Sequence, residues 1–132
     1  MKRGRLNRQS KKRAAIAPQR REFVAEYLAS HPVCEAYLPD VCRFEACDVH
    51  EIKTRARGGS ILDPDNVVAL CRACHTQITG DPKWAEENGY MVHAWATDDD
   101  MAGALLARAQ WKKWALEAWA IAEENEWLRD DD

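Results

Sequence analysis

The run Cys71-Arg72-Ala73-Cys74-His75 limits what this chain can fold into more than any other stretch. Two cysteines with two residues between them form a knuckle that presents both thiolates to one ion, which is half of a structural zinc site. The other half has to come from upstream, where Cys34, Cys42 and Cys47 complete the count of five. Cys34 and Cys42 flank a segment with a turn at Pro39-Asp40, so their sulfurs can fold back together onto the knuckle. Cys47 competes with Cys42 for the fourth place. The expected zinc (Zn2+) set is Cys34, Cys42, Cys71 and Cys74, with Cys47 the spare thiol. An odd number of cysteines argues against a closed disulfide framework. The staple is also needed, because residues 33–80 hold few bulky apolar side chains and burial alone would leave them marginal.

Around the knuckle the pattern changes from strand to helix. Asp48 to Ile52 and Asn66 to Leu70 are short, β-branched runs bounded by an Arg- and Gly-rich loop and by Asp63-Pro64-Asp65, so both are expected strands. Cys74 onward is expected to be a helix stopping at Gly80. Upstream, Pro18 can open a helix, and Phe23, Val24, Tyr27 and Leu28 recur at helical spacing until His31-Pro32 ends it. Downstream, Thr97 followed by Asp98, Asp99 and Asp100 supplies an N-cap and first-turn acids. Trp111, Trp114, Ala115, Ala118, Trp119 and Ala122 then share one helical face. That face either packs on the central domain or anchors a protein partner through Trp111, Trp114 and Trp119.

The net charge of -3 conceals an asymmetry. Residues 1–75 carry 14 Lys+Arg against 9 Asp+Glu, while residues 76–132 carry 5 against 13. A basic front half suggests a polyanion as partner. Residues 1–17 hold seven basic and no acidic residues, and are expected to form a disordered arm that settles on nucleic-acid phosphates. No run of eighteen apolar residues exists to span a membrane, and no apolar stretch follows the basic start as in a secretory signal. A cytoplasmic, non-secreted chain is therefore expected.

The residues His50-Glu51-Ile52, Arg55 to Gly59, Asn66 and Leu70 to His75 together resemble the HNH endonucleases. The likeness is strongest to small, cysteine-stapled HNH proteins of bacteriophage genomes. It covers about positions 34–80 and, more weakly, Pro82 to Gly89. The family signature has a metal-binding His or Asp followed directly by a His general base. An Asn lies roughly fifteen positions on, and a metal-binding His or Asn nine beyond that. Asn66 is fifteen positions after Glu51, and His75 is nine after Asn66. His50 thus falls on the ligand position and Glu51 on the base position, where the family usually has His.

Two assignments follow. In the first, which the spacing favours, His50 and His75 hold Mg2+ or a similar divalent ion and Glu51 is the base. In the second, Asp48 and His75 hold the ion and His50 is the base, since Asp48 and His50 project to the same side of a strand. Asn66 resembles the residue that orients the loop, and Arg55, Arg57 and Arg72 are candidate phosphate contacts. The resemblance implies an α+β fold: a small ββα-metal (His-Me finger) core with a structural zinc site, flanked by N- and C-terminal helices. The expected divisions are a basic arm at 1–17, a helix at 18–32, a zinc-stapled nuclease domain at 33–96, and a Trp-rich amphipathic helix with an acidic tail at 97–132. The implied activity is metal-dependent hydrolysis of DNA phosphodiesters. The competing readings are a non-catalytic zinc module that binds nucleic acid and an adaptor for a larger protein such as phage packaging machinery.

Overall fold

The computed structural model describes the backbone of residues 3–130 and the side chains of residues 14–126. The elements, in order, are helix α1 (Arg3–Ser30), strand β1 (Asp48–Glu51), strand β2 (Val67–Leu70), and helices α2 (Arg72–Thr79), α3 (Pro82–Glu87) and α4 (Asp98–Asp130). Single 3-10 turns at Arg55–Arg57 and Pro64–Asn66 lie between the strands. Both strands are one residue shorter than expected. Asn66 closes the turn before β2 instead of entering it, and α2 starts at Arg72, with the Cys71 sulfur accepting the Cys74 amide as its N-cap. Gly80 does end α2, but with φ of -79° in ordinary right-handed geometry.

The expected boundary between a disordered arm at 1–17 and a helix from Pro18 is not observed. Arg3 to Ser30 is one helix, and Pro18 lies inside it. The segment before Pro18 is rich in Ala, Arg and Lys, which favour helix. Its missing amide removes one rung of the ladder without stopping the helix. Positions 1–2 of the expected arm and 131–132 of the expected tail lie outside the described residues.

β1 and β2 pair antiparallel, with Asp48 opposite Leu70 and His50 opposite Val68. Strand alternation divides their side chains between two faces. Val49, Val67 and Ala69 meet α1, where Phe23, Tyr27 and Leu28 complete a small cluster. His50, Val68 and Leu70 point the other way, into the main core with Cys34, Ile52, Ile78, Ala85 and Tyr90. The sheet is therefore a two-stranded layer between α1 and the group formed by the cysteine loop, α2 and α3. Tyr27 OH bonds the Val67 carbonyl and the Glu35 carboxylate, tying α1 to both.

α4 closes the main core. Thr97 and Asp100 form a reciprocal cap: the Thr97 hydroxyl accepts the Asp100 amide, and the Asp100 carboxylate accepts the Thr97 amide. Ala104 and Ala115 are buried, and Trp111 and Trp119 donate their indole N–H groups to the Ala36 and Tyr37 carbonyls at 2.7 and 2.9 Å. The Trp111/Trp114/Trp119 face expected to meet a larger protein is thus mostly spent inside the chain. Trp114 alone of the three is largely exposed, at 55%. Among the described residues, no helix is long and apolar enough to cross a membrane.

Candidate active site

The four cysteines Cys34, Cys42, Cys71 and Cys74 are all buried, and their sulfurs lie within 4.8 Å of one another. Cys47 stays outside the group: it precedes β1 and is exposed. Backbone amides point at two of the sulfurs, with Phe44 donating to Cys42 and Arg43 and Cys74 donating to Cys71, at 3.3 to 3.4 Å. Such donors favour thiolate. The thiols also contend for one another's protons. The hydrogen bond from Cys74 pushes Cys34 down to about 4, the same contact pushes Cys74 up, and burial raises Cys42 to about 12. Four sulfurs packed this way cannot all ionise unless a cation neutralises them, so the donor set fits a tetrahedral Zn2+.

His75 directly follows Cys74, so the knuckle fixes the backbone from which this histidine projects. Its Nδ1 lies 3.0 Å from Asp48 Oδ2. A carboxylate can only accept, so Nδ1 carries the hydrogen and the lone pair of the neutral ring is on Nε2. Asp48 is itself held by Arg72, which donates Nε to Oδ2 at 2.7 Å and a terminal nitrogen to Oδ1 at 2.8 Å. The Arg72 guanidinium keeps the Asp48 carboxyl below the usual carboxylate range. Asp48 and His75 open onto a groove of about 470 Å³ between α1 and α2, lined also by Val24, Cys47, Arg72 and Thr76.

His50 lies deeper, 5% exposed, with its ring edge-on to that of His75 at 5.2 Å between centroids. Its Nε2 is 2.6 Å from the Tyr90 carbonyl. A carbonyl oxygen also only accepts, so Nε2 bears the hydrogen and Nδ1 the lone pair. Burial drives the His50 pKa down to about 4, so the ring is neutral at pH 7. Both histidines therefore have one nitrogen tied to an oxygen acceptor and a second with a lone pair, the arrangement that orients imidazole ligands around metals.

Glu51 does not join them. It is the next residue on β1, so its side chain leaves by the opposite face, where it accepts the Arg55 amide at 3.2 Å and sits 3.7 Å from the Arg20 guanidinium. The expected pairing of Glu51 with His50 and His75 is not what the strand geometry delivers. Asp48, His50 and His75 share one side.

Asn66 is buried and holds the loop between the strands. Its Oδ1 accepts the Lys53 amide at 2.9 Å, and its Nδ2 donates to the Lys53 and Ser60 carbonyls at 2.8 and 2.9 Å. Gly59 lies inside that clamp, where a Cβ would come 1.8 Å from the Lys53 oxygen. Of the three candidate phosphate contacts, Arg55 is exposed, Arg57 donates to the Val92 carbonyl at 2.9 Å, and Arg72 is committed to Asp48. Tyr90 and Arg108 were not legible as site residues. Tyr90 acts through its backbone carbonyl, and Arg108 donates to the Gly89 carbonyl beside it. The Asn88-Gly89 turn was the sole sequence signal near them.

Two short strands, a clamped loop, and a helix carrying a histidine beside a cysteine knuckle make up this core. Residues 33–81 match the family model described as HNH endonuclease. This segment is an HNH domain. No curated protein matches the chain, and no solved structure does. The matched segment contains Asp48, His50, Asn66, His75 and all five cysteines, and HNH domains as a family are metal-dependent and act on nucleic acid. α1, α3, α4 and the Gly89-Tyr90 turn lie outside or beyond the matched segment.

Proposed function

We propose that the chain is a metal-dependent endonuclease that hydrolyses DNA phosphodiesters, with His50 and His75 holding the working divalent ion and the four cysteines holding a structural Zn2+. The observation that carries this is the pair of histidine rings 5.2 Å apart, each with its hydrogen-bearing nitrogen already engaged. Bound there, Mg2+ or a similar ion would supply charge stabilisation to the phosphate and its leaving oxygen, and would acidify a water whose proton passes to solvent, since Glu51 faces away. Asp48 then acts through His75, fixing the ring, with both of its oxygens already engaged by Arg72 and one also by His75. Asn66 keeps the loop that carries Arg55 in register with β1. The basic residues 1–17 and Arg55 favour the phosphate backbone, which makes binding steeply salt-dependent.

A second assignment has its own support: Asp48, His50 and His75 share a face that Glu51 does not. In it Asp48 and His75 hold the ion, and neutral His50 takes the proton of the attacking water. Plasmid nicking with Mg2+, Mn2+ or Ni2+ tests the function and separates the assignments. His75→Ala abolishes nicking in either, and Glu51→Gln keeps most of the rate. Asp48→Asn weakens the first only partially but abolishes the second. A wild-type protein that binds DNA but nicks it with none of these ions refutes the enzyme and leaves a zinc-stapled binding module. Loss of activity in Glu51→Gln refutes the reading from strand faces.

A further inference from the structure

The His50 ring is oriented by a carbonyl, and that carbonyl belongs to a turn lying beyond the HNH segment. The turn is held from three sides. Tyr90 N donates to the Ala85 carbonyl of α3, and the Tyr90 ring, fully buried, stacks on Trp84 and reaches the Glu35 carbonyl with its hydroxyl. Gly89 has φ of 82° and lies so close to α4 that a Cβ would be 2.1 Å from the Ala104 oxygen. From the same helix, one turn on, the half-buried Arg108 guanidinium donates to the Gly89 carbonyl. Next to it, Val92 N bonds the Ile52 carbonyl just past the end of β1.

We propose that Arg108 on α4 is a positioning residue for the metal centre: by fixing the Gly89-Tyr90 turn it holds the Tyr90 carbonyl against His50 Nε2, which sets the tautomer and direction of the ring. The inference rests on the reading of His50 as an ion ligand. Its physical basis is that a histidine with a fixed acceptor on one nitrogen offers the other at no further orienting cost, whereas a free ring populates both tautomers and several rotamers. Arg108 suits the task because its fork of donors can grip a carbonyl from a helix a full side chain away. Burial lowers the Arg108 pKa, but a guanidinium keeps its charge. The C-terminal helix is thereby a working part of the site, although the matched HNH segment ends at residue 81.

The test reads the ring directly. Long-range proton–nitrogen correlation NMR on the zinc-loaded full chain, without added divalent ion, reports the His50 tautomer. The expected wild-type signal is hydrogen on Nε2. In Arg108→Met it becomes a mixture, and the Mn2+ concentration for half-maximal nicking rises roughly ten- to hundred-fold, as for other partners of metal-bound histidines. Arg108→Lys, which keeps a donor, shifts it in the same direction by a smaller factor and serves if the Met variant does not fold. Trp119→Phe, which loses a different α4 hydrogen bond, lowers stability but leaves the tautomer and the Mn2+ requirement unchanged. An Arg108→Met or Arg108→Lys protein with wild-type tautomer and Mn2+ requirement overturns the proposal. A wild type that never nicks overturns the nuclease reading instead, and the NMR result still decides whether Arg108 orients the ring.

Discussion

Replacing Asn66 tests how much of the domain's order depends on one buried amide. The side chain makes three hydrogen bonds of 2.8 to 2.9 Å, all to backbone groups of the loop between β1 and β2. A buried hydrogen bond contributes about 0.5–1.5 kcal/mol net, and a backbone group left without a partner costs about 1–3 kcal/mol. Asn66→Ala removes all three bonds, but the loop is near the surface and water can reach some of the freed groups. A cost of about 3 kcal/mol is expected, roughly 10 °C in Tm for a chain of this size. Asn66→Asp is the sharper perturbation. It keeps the acceptor for the Lys53 amide but turns a double donor into an oxygen facing two carbonyls, so it should destabilise at least as much as alanine. Urea unfolding of the zinc-loaded protein, followed by circular dichroism, gives both values. If either variant costs less than about 0.5 kcal/mol, the clamp does not hold the loop and the reasoning from buried donors fails.

Four further outcomes follow from the same geometry. Gly59→Ala drives a methyl into the Lys53 carbonyl and should cost about 1–3 kcal/mol; combined with Asn66→Ala the cost should fall short of the sum, because both act on one carbonyl. Cys71→Ser retains an oxygen to cap α2, so loss of zinc in metal analysis, from one ion per chain to none, isolates the metal from the cap. His50 is neutral when folded, with its pKa lowered from 6.5 to about 4. Its contribution to stability is complete above pH 6.5 and is lost as pH falls through 6.5 towards 4, on the order of 2 kcal/mol by pH 5. Urea midpoints for His50→Gln should fall less over that interval than those of the wild type, and parallel curves would contradict the assignment. Trp119→Phe loses the bond to the Tyr37 carbonyl, for which about 1 kcal/mol is expected.

What the sequence revealed was whatever depends on spacing along the chain. The knuckle at Cys71 and Cys74, the strand pair, the loop-holding Asn66 and the placing of His75 on the helix after the knuckle are local patterns. The choice of Cys42 over Cys47 was legible for a similar reason: the turn at Pro39-Asp40 folds Cys42 back to Cys34, while Cys47 is carried into the exposed lead-in to β1. Contacts that bridge distant segments were not legible. Nothing near Arg108 indicates that it grips the Gly89 carbonyl, and at sequence level it passes for an ordinary surface position on the last helix. Tyr90 contributes a main-chain atom, which no side-chain pattern can reveal. Over Glu51 the two sequence signals disagree: spacing puts it at the base position, while strand alternation sends His50 and Glu51 to opposite faces, and Arg20 on α1 meets the carboxylate there. The helix before Pro18 was missed because a run of positive charge resembles a solvated arm, although the same residues have good helix propensity.

The central claim is that His50 and His75 hold the working ion. A crystal structure of the zinc-loaded protein soaked with Mn2+, phased at the manganese edge, tests it most directly. The expected result is an anomalous peak within ligand distance of both His50 Nδ1 and His75 Nε2, with Asp48 still bonded to Arg72. A peak on Asp48 and His75 with His50 unligated, or one beside Glu51, would contradict it.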